Sequence, residues 1–259
     1  MSQRAIDVLR RVAWVAAEDT RHSGPLLRHY GSNARLFAAH QHNEEAAAQQ
    51  VIARLAEGES VALVVDAGTP AVSDPGARMV ARVRAAGYRI VPLPGPCAAI
   101  VALSAAGLGD GHFLFCGFLP NKAGQRAEVL RGLAEQPCTL IFYEAPHRIL
   151  DTVAALLAAF GPTRTLVLAR ELTKLFESIH ACPLGEAVDW LSADGNRQRG
   201  EFVLLVSGAQ PQDNAVEGER VLKLLLAEGL PVSQASRLAH ALTGVGRNAL
   251  YQLALHLRS

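Results

Sequence analysis

The densest chemistry in this sequence lies in Asp66-Ala-Gly-Thr-Pro-Ala-Val-Ser-Asp-Pro-Gly76, directly after the apolar run 60–65 and before a helical stretch. Gly68 lets a ligand approach the backbone closely, and Pro70 and Pro75 hold amide and carbonyl groups in fixed directions at little entropic cost. Eleven residues is long for a strand-to-helix connection, and long ordered connections tend to carry function. A second rigid loop, Pro92-Leu-Pro-Gly-Pro-Cys-Ala98, follows the next apolar run and again enters a helix. Alone, Pro-Gly-Pro would be only a turn; at the neighbouring strand end it completes a crevice of the kind that binds ligands in open α/β sheets. Tyr143-Glu-Ala-Pro-His-Arg148 and Arg170-Glu-Leu-Thr-Lys174 end two later apolar runs, so polar groups collect at successive strand ends.

Two further clusters are rich in titratable groups: Glu18-Asp-Thr-Arg-His22 and His40-Gln-His-Asn-Glu44. His22, His42 and Glu44 are the groups able to accept or orient a hydroxyl proton, a contribution of roughly two to four orders of magnitude in rate. Arg21, Arg148 and Lys174 are the cations placed to hold phosphates, the arginines by bidentate contacts. The plain alternative for both clusters is a solvated helix cap, with Asp19 or Thr20 capping a helix that contains 21–29. His40 and His42, as alternate residues of a strand, share a face as zinc ligands do, but no third ligand at a suitable spacing is evident and no metal is expected. P-loop, Gly-x-Ser-x-Gly and His-Glu-x-x-His motifs are absent. Gly107, Gly109 and Gly111 precede a strand and read as a hinge, not as a dinucleotide fingerprint.

These residues sit in a chain of 259, half of it hydrophobic and 19% charged, with 25 basic against 24 acidic side chains, which excludes disorder, coiled coil and collagen. The longest uncharged run, 90–109, is broken by Pro92, Pro94, Gly95, Pro96 and Gly107, so no bilayer-spanning helix fits there. No apolar segment of signal-peptide length opens the sequence, and a cytoplasmic protein is expected. Cys97, Cys116, Cys138 and Cys182 are dispersed, as reduced thiols would be. With the charge this even, a nucleic-acid partner would have to be held by a local patch.

Strand-like runs at 34–39, 60–65, 88–93, 113–118, 138–143, 165–169 and 201–206 alternate with helical stretches. The stretch 43–57 has Asn43 as N-cap and Gly58 as stop; 78–86 ends at Gly87 and 148–160 at Gly161. The alternation predicts an α/β fold with mainly parallel pairing, divided into domains at 1–110 and 111–209. After a linker at 210–214 everything reads as helix, making 214–259 a helical extension. Its Thr243-Gly-Val-Gly246 break between two helices resembles a helix-turn-helix; packing on the sheet or on a partner subunit is the other reading.

The ordered motifs, from Glu18-Asp-Thr-Arg-His22 through Arg199-Gly-Glu-Phe-Val203 to Gly244-Val-Gly-Arg-Asn-Ala-Leu-Tyr251, resemble the tetrapyrrole-methylase-like superfamily over nearly the whole chain. Within it the likeness is greatest to the branch that modifies small-subunit ribosomal RNA. The resemblance implies two α/β domains with an S-adenosylmethionine cleft between them, usually in a homodimer. It also implies methylation of the ribose 2′-hydroxyl of a cytidine in the decoding region of 16S rRNA. Carried over by position, Thr69, Pro70 and Val72, with Cys97 and Ala98, would bind the cofactor from the first domain, and the rigid loops 66–76 and 94–98 add Asp66, Gly68 and Pro94 to that wall. Tyr143, Leu172, Glu201 and Phe202 would do so from the second. The even charge suggests that the RNA is met within the assembled small subunit. A methylase of a small tetrapyrrole and an inactive RNA- or DNA-binding relative are the competing readings.

Members of that branch normally begin with a strand and a Thr-Pro-Ile-Gly-Asn-Leu loop, whereas Met1 here falls in the segment that follows. The expectation is that the strand 13–17 lies beside a gap, covered by dimer contacts or accompanied by disorder around 1–11, with weakened cofactor binding.

Overall fold

The computed structural model describes residues 1–108, 111–209 and 214–258. Of the expected hinge, Gly109 and Asp110 fall outside these, as do residues 210–213 of the expected linker. The strands are β1 (Trp14–Ala17), β2 (Arg35–Ala38), β3 (Val61–Val64), β4 (Phe113–Phe118), β5 (Thr139–Glu144), β6 (Thr165–Arg170), β7 (Ser178–Pro183) and β8 (Phe202–Val206). The helices are α1 (Gln3–Leu9), α2 (Thr20–His29), α3 (Glu44–Ala56), α4 (Ala77–Ala85), α5 (Ala98–Ala106), α6 (Ala123–Leu133), α7 (Ile149–Phe160), α8 (Leu184–Ser192), α9 (Asn214–Ala227), α10 (Val232–Thr243) and α11 (Arg247–Arg258).

The first α/β part is built on a parallel sheet in the order β2-β1-β3. Val15, Ala16 and Ala17 of β1 are fully buried because small and branched side chains face helices on both sides, as a central parallel strand requires. The strand expected beside a gap is therefore the middle one, and β2 and β3 are the edges. The expected strand 88–93 does not form: the chain there belongs to neither a strand nor a helix. Pro92 and Pro94 remove the amide donors a ladder needs, and no strand lies next to β3 on that side among the described residues. Residues 3–9 form α1, capped by the Ser2 hydroxyl, which accepts from the Ala5 amide.

The second sheet, in the order β4-β5-β8-β6-β7, departs from the parallel expectation. Only β4 and β5 run parallel; β8 is antiparallel to both β5 and β6, and β6 and β7 form an antiparallel hairpin. Alternating helices and strands predict layers but not strand direction, and β7 was not foreseen because Ser178-Ile-His-Ala-Cys-Pro183 is a half-exposed edge strand with little apolar signal. Leu140, Ile141 and Phe142 of β5 and Leu204 and Leu205 of β8 are fully buried, packed on one face by α7 and α8 and on the other by α5. Helix α5 thus covers the second sheet although it leaves the first. Gly107 ends it in the left-handed conformation. The tail has its own small core of Leu222, Ala235, Ala239, Leu250 and Ala254.

Candidate active site

A cavity of about 430 Å³ opens between the two sheets, within the range typical of small-molecule sites. The first part contributes Gly68, Thr69, Val72, Cys97 and Ala98, and the second Tyr143, Leu172, Glu201 and Phe202. Nine of the expected cofactor residues therefore meet in one place, while Asp66, Pro70 and Pro94 are not part of the lining. Ala67, Ser73 and Asp74 of the expected loop 66–76 line it too, and Phe118, Glu144 and Val203 line it without having been singled out as cofactor residues. Asp74 was readable as the carboxylate of the Ser-Asp-Pro-Gly turn; Phe118 and Val203 are ordinary strand residues whose exposure to the cleft only the sheet packing reveals.

Local bonds hold these walls in place. Thr69 Oγ1 donates to the Pro96 carbonyl at 2.8 Å, which ties the two Gly/Pro loops together. The Ala99 amide, in the first turn of α5, donates to Tyr143 Oη at 3.1 Å across the cleft, and burial raises the Tyr143 phenol above its usual range. Glu44 does not face the cleft: its Oε1 accepts from the Gly76 amide at 2.8 Å and anchors the end of the first loop. In β4 a bulge at Gly117, with φ +65°, brings the strand close to that loop, where an added Cβ would lie 3.1 Å from Ser73 Oγ.

Ala71, Ser73, Glu171 and Thr173 are the residues other than glycine with left-handed backbones among those described, at φ 68°, 61°, 51° and 65°. All four lie on two loops that border the cavity, residues 66–76 and 171–177. Such backbones cost of order 1–3 kcal/mol each and concentrate at functional sites.

The carboxylates beside the first loop are crowded. Burial, with the charges of Glu18 and Asp66, pushes the Asp74 carboxyl up to about 6. His22 Nδ1, taken as protonated, donates to Asp66 Oδ2 at 3.1 Å, leaving Nε2 as an acceptor on a ring that is mostly exposed. Asp19 caps α2 through the Arg21 amide and also holds the Arg21 guanidinium at 2.6 Å, which keeps its carboxyl well below the usual range. Donor atoms of Asp19, His22 and Asp66 lie within 4.8 Å of one another, so a cation could be held there once Arg21 released Asp19.

The remaining expected residues are placed differently. His42 is exposed, its ring edge-on to His40 and within 3.3 Å of Gln41 Nε2. Arg148 turns inward: its Nε is ion-paired with Glu144 Oε1 at 3.3 Å, and its guanidinium donates to the Leu119 carbonyl at 2.7 Å and to the Asn121 side chain. Thr152 and the Ala145 amide complete the shell of the buried Glu144 carboxylate. Lys174 Nζ is shared by Glu171 at 2.8 Å and Glu201 at 2.9 Å, and these bonds raise its pKa. Neither cation is free to receive a phosphate in this arrangement.

Known proteins share this architecture. The family model of Tetrapyrrole (Corrin/Porphyrin) Methylases matches residues 1–188, and that of the RsmI C-terminal HTH domain matches residues 212–258. A ribosomal RNA small subunit methyltransferase I from Escherichia coli O157:H7 is 52% identical, the match covering 98% of this chain and 90% of that protein. One from Pseudomonas aeruginosa is 53% identical, covering 98% and 92%. Among solved structures, the methyltransferase CobJ is similar with a TM-score of 0.60 at 22% identity, over 81% of this chain and 88% of that one. Two sheets around one cleft, a helical tail and identity above half over nearly the full length agree: the chain belongs to the tetrapyrrole methylase family, in its ribosomal RNA small subunit methyltransferase I branch.

Proposed function

We propose that this chain is an S-adenosylmethionine-dependent methyltransferase that acts in the cytoplasm on the ribose 2′-hydroxyl of a cytidine in the decoding region of 16S rRNA, within the small ribosomal subunit and as a homodimer. The observation that carries the reading is the cleft itself, walled by both α/β parts and bordered by the two strained loops. Its lining suits the cofactor. Tyr143, Phe202, Val203 and Leu172 offer an apolar slot for a flat ring, while Thr69, Asp74 and the open backbone at Gly68 offer polar partners for a charged amino-acid end. S-adenosylmethionine, when bound, supplies a methyl group already activated by its sulfonium. What the chain must add is placement of a nucleophile at contact distance, an effect worth several kcal/mol. Loops 66–76 and 171–177, each tied down by hydrogen bonds to its neighbours, border the place where that must happen.

His22 is the proton acceptor of this reading. Its bond to Asp66 orients the ring so that Nε2 can take the hydroxyl proton as the ribose oxygen attacks. Among the described residues no carboxylate orients His42, and Glu44 is engaged with Gly76. Of the three cations Arg21 is the most exposed, and a phosphate would compete with Asp19 for its guanidinium. The names of the relatives support an RNA substrate over a small tetrapyrrole.

Calorimetry with S-adenosylmethionine, followed by methyl transfer to isolated small subunits with the modified nucleotide mapped, tests the reading. The expected result is cofactor binding and one 2′-O-methylcytidine, with His22→Ala reducing kcat by about a hundred-fold or more and sparing cofactor affinity. Methylation of a base, or equal methylation of a naked oligonucleotide, would overturn it.

A further inference from the structure

Leu175 and Phe176 are 89% and 66% exposed, adjacent apolar side chains at the tip of the loop between β6 and β7. A tip of that kind on a mobile loop would mean little, but this one is held from several sides. The Glu171 amide donates to the Glu201 carbonyl, and Glu171 Oε1 accepts from the Glu201 amide, each at 2.9 Å. The Thr173 amide donates to Glu177 Oε2. Arg170 closes the other side: its guanidinium donates to the carbonyls of Phe176, Asn196 and Arg199. One buried-edge cation therefore fixes Phe176 beside Arg199, whose own side chain is exposed and has no partner among the described residues. Leu172 and Glu201, from the same clamp, line the cleft.

The combination is an aromatic face, an aliphatic neighbour and an uncommitted guanidinium, held rigidly at the mouth of the cleft. Proteins hold unpaired nucleotides with that chemistry: a base stacks on the ring and the cation meets the backbone phosphate. A membrane surface would call for several cations around the tip, and Lys174 is already neutralised by Glu171 and Glu201. The geometry points to the Leu175–Phe176 tip and Arg199 as a docking site for an unpaired nucleotide of the RNA substrate, next to the one whose ribose enters the cleft. This deepens the RNA reading above and rests on it.

Filter binding of the full chain to small ribosomal subunits, and to a single-stranded oligocytidylate, tests the site together with steady-state methylation. Phe176→Ala and Arg199→Ala should each weaken binding about ten-fold and raise KM for subunits with little change in kcat. Phe176→Tyr should restore binding to within about two-fold, since it keeps the stacking face, and cofactor affinity should be unchanged in all three. Unaltered RNA binding in Phe176→Ala overturns the proposal, and so does a loss of dimer mass in that variant without loss of RNA affinity, which would assign the tip to a second copy. If wild-type protein binds subunits in a Phe176-dependent way yet transfers no methyl group, the reaction falls and the docking site stands. If it methylates and Phe176→Ala is silent, the reverse holds.

Discussion

At Arg148 the decisive fact is where the charge is spent. The motif Tyr-Glu-x-x-His-Arg shows a cation at a strand end, but its target depends on Glu144, four residues earlier, which the end of β5 buries completely. A buried carboxylate needs a partner, so the arginine is drawn inward and not toward a ligand. Arg148→Ala is expected to lower unfolding stability by about 3 kcal/mol in urea titrations while leaving the salt dependence of RNA binding unchanged. Asp74 shows the opposite case, a carboxyl whose pKa is pushed up to about 6 by burial and its acidic neighbours. The fold favours its neutral form, a preference fully present below its ordinary 3.8 and lost as pH rises through about 6. Asp74→Asn, always neutral, should melt higher than wild type above pH 6 by roughly 2–4 °C once partial exposure is allowed for, with the difference closing below pH 4. The Gly/Pro loops and the family motifs identified nine of the lining residues, and Asp74 lies in the first of those loops; Phe118 and Val203 reach the cleft only through sheet packing, which no local signal announces.

Among the elements, those whose signals are local were legible. Asp19 caps α2 as expected, and α3 starts at Glu44 directly after Asn43, whose side chain bonds the His40 amide and the Ala38 carbonyl and so fixes the turn into the helix. Strand direction was not legible, since β8 inserts between β5 and β6 through pairings that span much of the chain. The entry to β8 is also the tightest point of the cleft's rim. Gly200 has φ +88°, and a Cβ there would come within 2.4 Å of Glu171 Cγ. Gly200→Ala should therefore displace Glu171, release Lys174 and disorder the loop 171–177. Cofactor affinity should drop about ten-fold or more by calorimetry, and protease sensitivity should rise at that loop while the remaining sheet stays protected.

Across the whole molecule, the described core residues pack in five sets, two for each sheet and one for the tail. The tail core is closed by Leu222, Ala235 and Leu250 without borrowing from the sheets. Removal of residues 214–259 should leave thermal unfolding and cofactor binding of the α/β body nearly unchanged. Affinity for small subunits should fall by at least about ten-fold, because two tethered contacts bind as one; equal affinity would mean the tail does not touch RNA. The first sheet carries a different consequence. β3 pairs with β1 through its even-numbered residues, as the bonds from Trp14 to Ser60 and from Glu18 to Val64 show, so Val61 and Leu63 turn their amides to the open edge. In deuterated water a single strand should then label in two populations. The protons of Ala62 and Val64 would be retained for as long as β1 stays docked, while those of Val61 and Leu63 would be lost at once, giving a period-two exchange pattern that an added neighbouring strand would erase.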